Sequence, residues 1–228
     1  MQLSKRLRTI IDMTGTADTA ADIGTDHGFV PVALLSEGKA RRFIAADINE
    51  GPLERARAHI ATAGLSHACD LRCGTGLSVL RPEEADAIII AGMGGQLIAS
   101  ILLEGREKLS ATRQLVLSPH TESRAVREAV EAIGFHIEDE TMVYDEGKFY
   151  PVILACPGEG APMNETQLTY GPVLLEKRPA DFEAYLSFRI RKEEEILRKI
   201  QDAEKKGNEA VLRTHEASLA ELHRLAGR

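Results

Sequence analysis

Two acidic residues and two glycines stand close together near the amino terminus, in the stretch "TAADIGTDHGFVPVALL" that starts at Thr19. Asp22 ends a short apolar run, and Gly24 and Gly28 follow it. The residues between the glycines are Thr25, Asp26 and His27. A phosphate-binding nucleotide loop would end in Gly-Lys-Ser/Thr, and a dinucleotide loop would carry a further glycine between these two. Neither signature is present, which argues against an NAD-dependent oxidoreductase.

The loop suits a ligand that has no phosphate and carries positive charge. S-adenosylmethionine has a zwitterionic methionine end and a positive sulfur. The acid that ends the strand can face this charge, and the amino terminus of the following helix can face the carboxylate. Asp47 ends the next apolar run, "FIAADIN", at the spacing of an acid that accepts hydrogen bonds from ribose hydroxyls. An acid there also serves NAD, so Asp47 alone does not discriminate.

Glycines also follow the third and fourth apolar runs, in "RCGTGL" and in "AGMGG". Small residues there let the backbone approach a flat ring, and Met93 is the only large side chain of the second motif. Open α/β sheets bind ligands at the carboxyl ends of their strands. We therefore predict S-adenosylmethionine as the cofactor. The predicted cofactor-binding residues are Asp22, Gly24, Thr25, His27, Gly28, Asp47, Ile48, Gly74, Thr75, Gly76, Ala91, Gly92 and Met93.

The elements that position these residues follow a regular pattern. After a helix at residues 3–13, short apolar runs alternate with helical segments, which predicts an α/β fold with a mostly parallel sheet. The stretch "FHIEDETMVYDEGKFYPVILAC" then reads as two strands joined by a turn, a hairpin that must contribute an antiparallel strand. A seven-stranded sheet with this ending is typical of class I, Rossmann-like methyltransferases.

The last part of the chain has a different pattern of apolar residues. Apolar residues recur there at helical spacing, and "KKGN" at residues 205–208 interrupts them. This pattern predicts two antiparallel helices that form a short coiled coil. We therefore predict a catalytic domain at residues 1–164 and a C-terminal helical hairpin at residues 165–228.

Composition excludes several classes of protein. The chain has 228 residues, three cysteines without a paired motif and a formal net charge of −7. Its apolar runs are too short to span a membrane, and its amino terminus "MQLSKRLRTIID" lacks the apolar core of a signal peptide. We expect a cytoplasmic protein, a monomer or weak dimer, without a membrane or metal partner. Because the chain is acidic, any nucleic acid must bind at a local basic patch.

Several motifs together resemble one family. They are "LSKRL", "ADIGTDHG", "INEGPLERA", "GTGL", "AGMGG", "KFY" and "YGPVLL". The chain is similar over almost its whole length to the bacterial tRNA adenine-N1 methyltransferases that modify adenine 22, the TrmK family. The resemblance implies a class I fold, S-adenosylmethionine as methyl donor and tRNA as partner. Two residues depart from the family pattern: Thr75 stands where an acid would bond the adenine amino group, and Pro151 stands where an acid is common.

The resemblance also implies a chemistry. The N1 atom of adenine has a lone pair and the product is a cation, so the enzyme needs positioning and negative potential rather than a strong base. Asp26 is the candidate for that negative charge, and its alternative role is to cap the following helix. Met93 and Tyr150 could contact the base or simply pack. The predicted catalytic residues are Asp26, Met93 and Tyr150. The predicted substrate-binding residues are Arg6, Gly94, Arg189, Lys192 and Lys199.

Two other functions stay open at the level of sequence. A class I methyltransferase for a small molecule or a protein would share every cofactor residue, although such an enzyme more often has a lid than a helical hairpin. A non-catalytic cofactor-binding module would use the hairpin as a partner surface. The intact acids and glycines of the loops argue against that module.

Overall fold

The computed structural model describes residues 3–202 and 209–227 of the chain. They belong to two compact units, Met1–Lys177 and Arg178–Arg228. The "KKGN" interruption that separates the two predicted C-terminal helices lies outside the described residues.

The first unit contains a seven-stranded sheet. Its strands are β1 (Ala17–Ile23), β2 (Ala40–Asp47), β3 (Cys69–Cys73), β4 (Ala87–Ala91), β5 (Gln114–Ser118), β6 (Phe135–Asp145) and β7 (Lys148–Pro157). Their spatial order is β3-β2-β1-β4-β5-β7-β6. Strands β1 to β5 are parallel, and β7 runs antiparallel to both β5 and β6. The predicted parallel sheet with an antiparallel hairpin is confirmed.

Helices cover both faces of the sheet. They are α1 (Lys5–Met13), α2 (Phe29–Ser36), α3 (Glu50–Thr62), α4 (Gly95–Glu104), α5 (Ser123–Ala132), α6 (Glu165–Tyr170) and α7 (Pro172–Lys177). Strand β4 reads "AIIIA" because alternate side chains enter cores on opposite faces. Ile88 and Ile90 lie in one core cluster, and Ala87 and Ile89 lie in the other.

A buried ion pair connects α6 and α7 to the first unit. Arg127 of α5 donates from Nε to Oε1 of Glu140 in β6 at 2.8 Å, and both side chains are almost completely buried. Arg127 also donates to the carbonyl of Leu168 at 2.9 Å, and Glu140 accepts from the amide of Val173. These bonds explain why the first unit continues to residue 177, whereas the sequence predicts a boundary after residue 164.

The second unit consists of α8 (Ala180–Asp202) and α9 (Glu209–Leu225), which contact each other. The buried apolar residues of α8 recur at helical spacing: Phe182, Leu186, Ile190 and Leu197. Glu193 is also buried and accepts hydrogen bonds from Nδ1 of His215 at 2.7 Å and Oγ of Ser218 at 3.2 Å. The two helices therefore share a polar link as well as apolar contacts. The coiled coil itself stays a prediction.

Within residues 3–202 and 209–227, no helix has both the length and the apolar character that crossing a membrane requires.

Candidate functional site

Asp22 is a buried carboxyl group at the end of β1. It is only 6% exposed. The pKa of Asp22 is raised to about 7, mainly by burial; the Thr25 hydroxyl opposes the shift, and the charge of nearby Asp47 adds to it. Within the described part of the chain no basic side chain pairs with Asp22. A buried acid without a cationic partner is costly, so it marks a place where a ligand's positive charge would be stabilised.

The loop after β1 is held against the loops of two neighbouring strands. The amides of Gly24 and Thr25 both donate to the carbonyl of Ala46 in β2, at 2.8 Å each. Gly24 has a φ of +84°, and a Cβ there would come within 2.0 Å of Cε of Met93. Met93 therefore lies over Gly24 and connects the loop after β4 to the loop after β1. Only glycine gives both the backbone conformation and the space.

Two buried hydroxyl groups near these strand ends make no hydrogen bond of good geometry within the described residues, although one of them, that of Thr25, lies close enough to the Asp22 carboxyl to influence its pKa. These groups are Oγ1 of Thr25 and Oγ of Ser118, the last residue of β5. Buried polar atoms are normally paired, so a polar ligand group is a reasonable partner for them. The Asp22 carboxyl and these hydroxyls are groups of the kind that would bond the ammonium and the carboxylate of a methionine moiety. No group of three or more potential metal ligands occurs among the described residues.

Asp47 and its neighbours form the second part of the site. Oδ1 of Asp47 accepts from the amide of Asn49 at 2.8 Å, and the Asp47 carbonyl accepts from the amide of Gly74 at 3.0 Å. Ile48 is 62% exposed, which is unusual for a large apolar side chain and suits contact with a flat ring. Thr75, which directly follows Gly74, is exposed and carries a hydroxyl group rather than an acid.

Asp26 and His27 lie at the surface of the first loop. Oδ1 of Asp26 accepts from Nη2 of Arg55 at 2.9 Å, and the Asp26 side chain is 60% exposed. The cap of α2 is Gly28 and involves no side chain, so Asp26 does not take the capping role. His27 has a φ of +58°, and its ring stacks on Phe29 with a centroid distance of 5.6 Å. Arg55 was not identified from the sequence because nothing local marks a pairing across 29 positions.

The loops after β4 and β5 are bonded to each other through their backbones. The amide of His120 donates to the carbonyl of Met93 at 2.8 Å, and the amide of Gly95 donates to the carbonyl of Thr121 at 3.0 Å. A Cβ on Gly95 would come within 2.2 Å of the carbonyl oxygen of Glu122. The Met93 carbonyl thus already has one donor, and only its second lone pair remains for an adenine amino group. Ala91, Gly92 and Gly94 lie in the same backbone arrangement and contribute no functional side chain.

Arg6, His120 and Tyr150 meet beside these loops, although they lie far apart in the sequence. The Arg6 guanidinium is 4.7 Å from the centroid of the Tyr150 ring, and its Nη1 contacts Nε2 of His120. The His120 and Tyr150 rings are 5.2 Å apart. Tyr150 is only 8% exposed and has Arg6 over its ring, so little of it is left to stack on a base. His120 was not singled out in the sequence, and its only signal was its position just after an apolar run.

The basic residues predicted for tRNA contact on α8 have partners within the second unit. Arg189 donates to the Tyr185 hydroxyl at 2.9 Å, and Lys199 donates to Glu195 at 2.7 Å. Nζ of Lys192 lies 5.8 Å from the Phe188 ring centroid. Lys192 and Lys199 are nevertheless exposed, so both can exchange these contacts for a phosphate.

Comparisons of sequence and of structure with known proteins point to the same family. The family model described as TrmK, tRNA (adenine(22)-N(1))-methyltransferase, matches residues 20–221. The tRNA (adenine(22)-N(1))-methyltransferase of Bacillus subtilis is 36% identical over 188 residues, which cover 80% of this chain and 79% of that protein. The crystal structure of Bacillus subtilis TrmK matches with a TM-score of 0.86 at 31% identity, covering 99% of each chain.

A ligand-bound structure is also similar. Streptococcus pneumoniae Sp1610 in complex with S-adenosyl-L-methionine matches with a TM-score of 0.88 at 26% identity, and the match covers 99% of this chain and all of that one. The resemblance drawn from the sequence motifs is thereby confirmed, and the class I methyltransferase fold with it. The family model spans most of the chain, and a relative well above 30% identity covers four fifths of it, so this protein belongs to the TrmK family of tRNA (adenine(22)-N(1))-methyltransferases.

Proposed function

We propose that this protein transfers a methyl group from S-adenosylmethionine to N1 of adenine 22 in tRNA. The observation that carries the proposal is the pair of acids that end the adjacent parallel strands β1 and β2. Asp22 is buried without a cationic partner among the described residues, and Asp47 is partly exposed at the next strand end. Membership of the TrmK family supports the assignment of the acceptor.

Each end of the cofactor has candidate partners. Asp22 would hold the ammonium group of the methionine moiety, and the hydroxyls of Thr25 and Ser118 would bond its polar atoms. Asp47 would accept from the two ribose hydroxyls, while Ile48 would cover the adenine ring. When bound, the cofactor supplies a methyl group that its positive sulfur activates.

The acceptor side requires positioning more than acid–base chemistry. Base pairing hides N1 of adenine, so the nucleotide has to be extruded or already unpaired before it can react. The loops after β4 and β5 would receive it because their backbone is fixed by mutual hydrogen bonds. The second lone pair of the Met93 carbonyl is a candidate acceptor for the exocyclic amine. Tyr150, which is buried, then supports Arg6 instead of stacking on the base.

Asp26→Asn is expected to lower the single-turnover rate of methyl transfer roughly tenfold while leaving the dissociation constant of the cofactor nearly unchanged. The substitution removes a negative charge that would stabilise the positive charge developing on the adenine ring. Rapid-quench measurements with saturating cofactor and tRNA give the rate, and calorimetry gives the affinity.

Arg55→Gln is the informative companion to Asp26→Asn, because it removes the ion-pair partner of Asp26 and keeps the carboxylate. A normal single-turnover rate in Asp26→Asn combined with weaker cofactor binding would make Asp26 a binding residue and remove it from the chemistry.

Lys192 and Lys199 on α8 are proposed to take tRNA phosphates. Each exposed lysine that contacts a phosphate contributes about one unit to the slope of log affinity against log salt. Lys192→Gln and Lys199→Gln should therefore each flatten that slope by about one unit in a tRNA-binding titration. The matched control is Arg41→Gln, which removes an exposed positive charge near the amino end of β2. If the lysine variants behave as this control does, α8 is not part of the tRNA surface.

The proposed activity is tested with radiolabelled S-adenosylmethionine and transcribed tRNA, followed by mapping of the modified nucleotide. We expect N1-methyladenine at position 22 and no incorporation when that adenine is replaced by uridine. Methylation of a protein or of small molecules in place of tRNA would favour the alternative acceptor class. Methylation at another nucleotide would retain the reaction and correct the position.

A further inference from the structure

Arg6 has an unusual set of contacts for an arginine. Its backbone amide donates to Oδ2 of Asp145 at 3.0 Å, so the nearest acid serves the main chain of α1 and not the guanidinium. The guanidinium itself has a single hydrogen-bond acceptor among the described residues, Nε2 of His120. Arg8, two residues further along α1, is instead paired with two carboxylates, those of Asp12 and Glu37. Arg6 therefore has N–H donors to offer to a ligand.

The contact with Arg6 determines the state of the His120 ring. An arginine side chain can only donate, so Nε2 of His120 must accept and the proton of the neutral ring lies on Nδ1. Burial lowers the pKa of His120, and the positive charges of Arg6 and Lys148 lower it further. The charged and titratable groups around the ring are Arg6 from α1 and Lys148 and Tyr150 from β7, and Asp145 at the end of β6 accepts from the backbone amide of Arg6.

The backbone of His120 is bonded to the loop after β4, which is proposed to receive the target adenine. Its amide donates to the carbonyl of Met93, so the ring that holds Arg6 is attached to the loop after β4. The Tyr150 ring lies under the guanidinium at 4.7 Å and supplies a flat, buried support for it. Three residues from three distant parts of the chain thereby fix one positive charge at the carboxyl-terminal edge of β4 and β5.

We propose that His120 is a positioning residue for the tRNA substrate: its neutral ring holds the Arg6 guanidinium over Tyr150, where Arg6 bonds a phosphate next to the extruded adenine. The inference rests on the proposed function and adds a substrate-recognition device to it. A phosphate is the favoured partner because guanidinium bonds it through two parallel N–H groups. The adenine ring is a poor partner, since a cation beside it would oppose the positive charge that develops during methylation.

The test compares His120→Ala, His120→Gln and Arg6→Gln with the intact protein, using direct tRNA-binding titrations at several salt concentrations. His120→Ala and Arg6→Gln should each weaken tRNA binding about tenfold and flatten the salt slope by about one unit. The double variant should be no weaker than Arg6→Gln, because both changes remove the same contact. His120→Gln should recover much of the affinity, since its amide oxygen can accept from Arg6. The charge-matched control is again Arg41→Gln.

A pH series separates positioning from general structural support. Protonation of His120 removes the acceptor for Arg6. Because burial and the charges of Arg6 and Lys148 lower the pKa of His120, tRNA affinity of the intact protein should fall only at acidic pH, below the range in which an ordinary histidine titrates. His120→Gln cannot be protonated and should lack this loss. A loss of the same size in His120→Gln would overturn the role of His120.

Other outcomes are equally decisive. Wild-type salt slope and affinity in His120→Ala, or additive losses in the double variant, would overturn the proposal. Cofactor affinity and thermal unfolding of each variant verify folding, and a variant that loses both is judged through His120→Gln instead. If the intact protein binds and methylates no tRNA at all, the proposed function fails, and the role of His120, which rests on it, fails with it; loss confined to the His120 and Arg6 variants tests the role of His120 alone.

Discussion

Asp22→Asn is expected to weaken cofactor binding at least a hundredfold and, at the same time, to stabilise the folded protein above pH 7. The affinity should fall because the substitution leaves a cationic ligand group facing a neutral amide in a buried site, a loss of about 3–5 kcal/mol. The stability should rise because the carboxylate of Asp22 is buried without a cationic partner among the described residues. Function and stability thus make opposite demands on this residue.

The pH dependence of stability follows from the direction of the pKa shift. The pKa of Asp22 rises from its ordinary value of 3.8 to about 7 in the folded protein. Between these values the folded state keeps a proton that the unfolded state has released, so this residue lowers the free energy of unfolding as the pH rises. The interval corresponds to roughly 4 kcal/mol, reached in full above pH 7. Asp22→Asn should lack this decline.

Thermal unfolding of the cofactor-free protein between pH 4 and 8, together with calorimetric titration of S-adenosylmethionine, measures both effects. Asp18→Asn is the matched control, since Asp18 lies on the same strand but is exposed and paired with Arg41. A parallel pH dependence of stability in Asp22→Asn and the intact protein would contradict the raised pKa. Unchanged cofactor affinity would remove Asp22 from the site.

Asp47→Ala should weaken cofactor binding roughly a hundredfold to ten-thousandfold. The carboxylate would accept hydrogen bonds from two ribose hydroxyls, each worth about 1.5–3 kcal/mol when one partner is charged. Asp47 is partly exposed, so the lower part of this range is expected. Titration with S-adenosylmethionine and with S-adenosylhomocysteine should give similar losses, because the two compounds share the ribose.

Asp47→Asn distinguishes the loss of the ribose contact from a disturbance of the turn that Asp47 forms with Asn49. The carboxylate also accepts from the amide of Asn49, and an asparagine oxygen can keep that bond. Asp47→Asn should therefore fold normally and still lose most of the affinity. Asp70→Ala in the neighbouring strand β3 removes an exposed acid that pairs with Arg72, and it should bind the cofactor normally. If Asp47→Ala binds as tightly as this control, Asp47 does not contact the ribose.

Much of the fold was predictable because its signals are local. The alternation of apolar runs with helical segments predicts the parallel sheet, and two adjacent strands joined by a turn predict the antiparallel β6–β7 pair. The domain boundary was harder to predict. The segment after residue 164 reads as the start of a helical region, but the buried pair of Arg127 and Glu140 attaches it to the first unit. No local pattern reveals that an arginine and a glutamate will pair in the core.

The sequence by itself determined which predicted strands are followed by acids and glycines. These residues in turn indicated the class of cofactor and the family. Each of those features lies within a few consecutive residues, and their chemistry follows from residue type and spacing. The tertiary structure decided which charges are paired. Asp26 is paired with Arg55, Asp22 is left without a cation among the described residues, and Arg6 meets His120 across 114 positions. Burial and pairing depend on what packing brings within a few ångströms, because electrostatic and hydrogen-bond energies depend on distance in space and not along the chain.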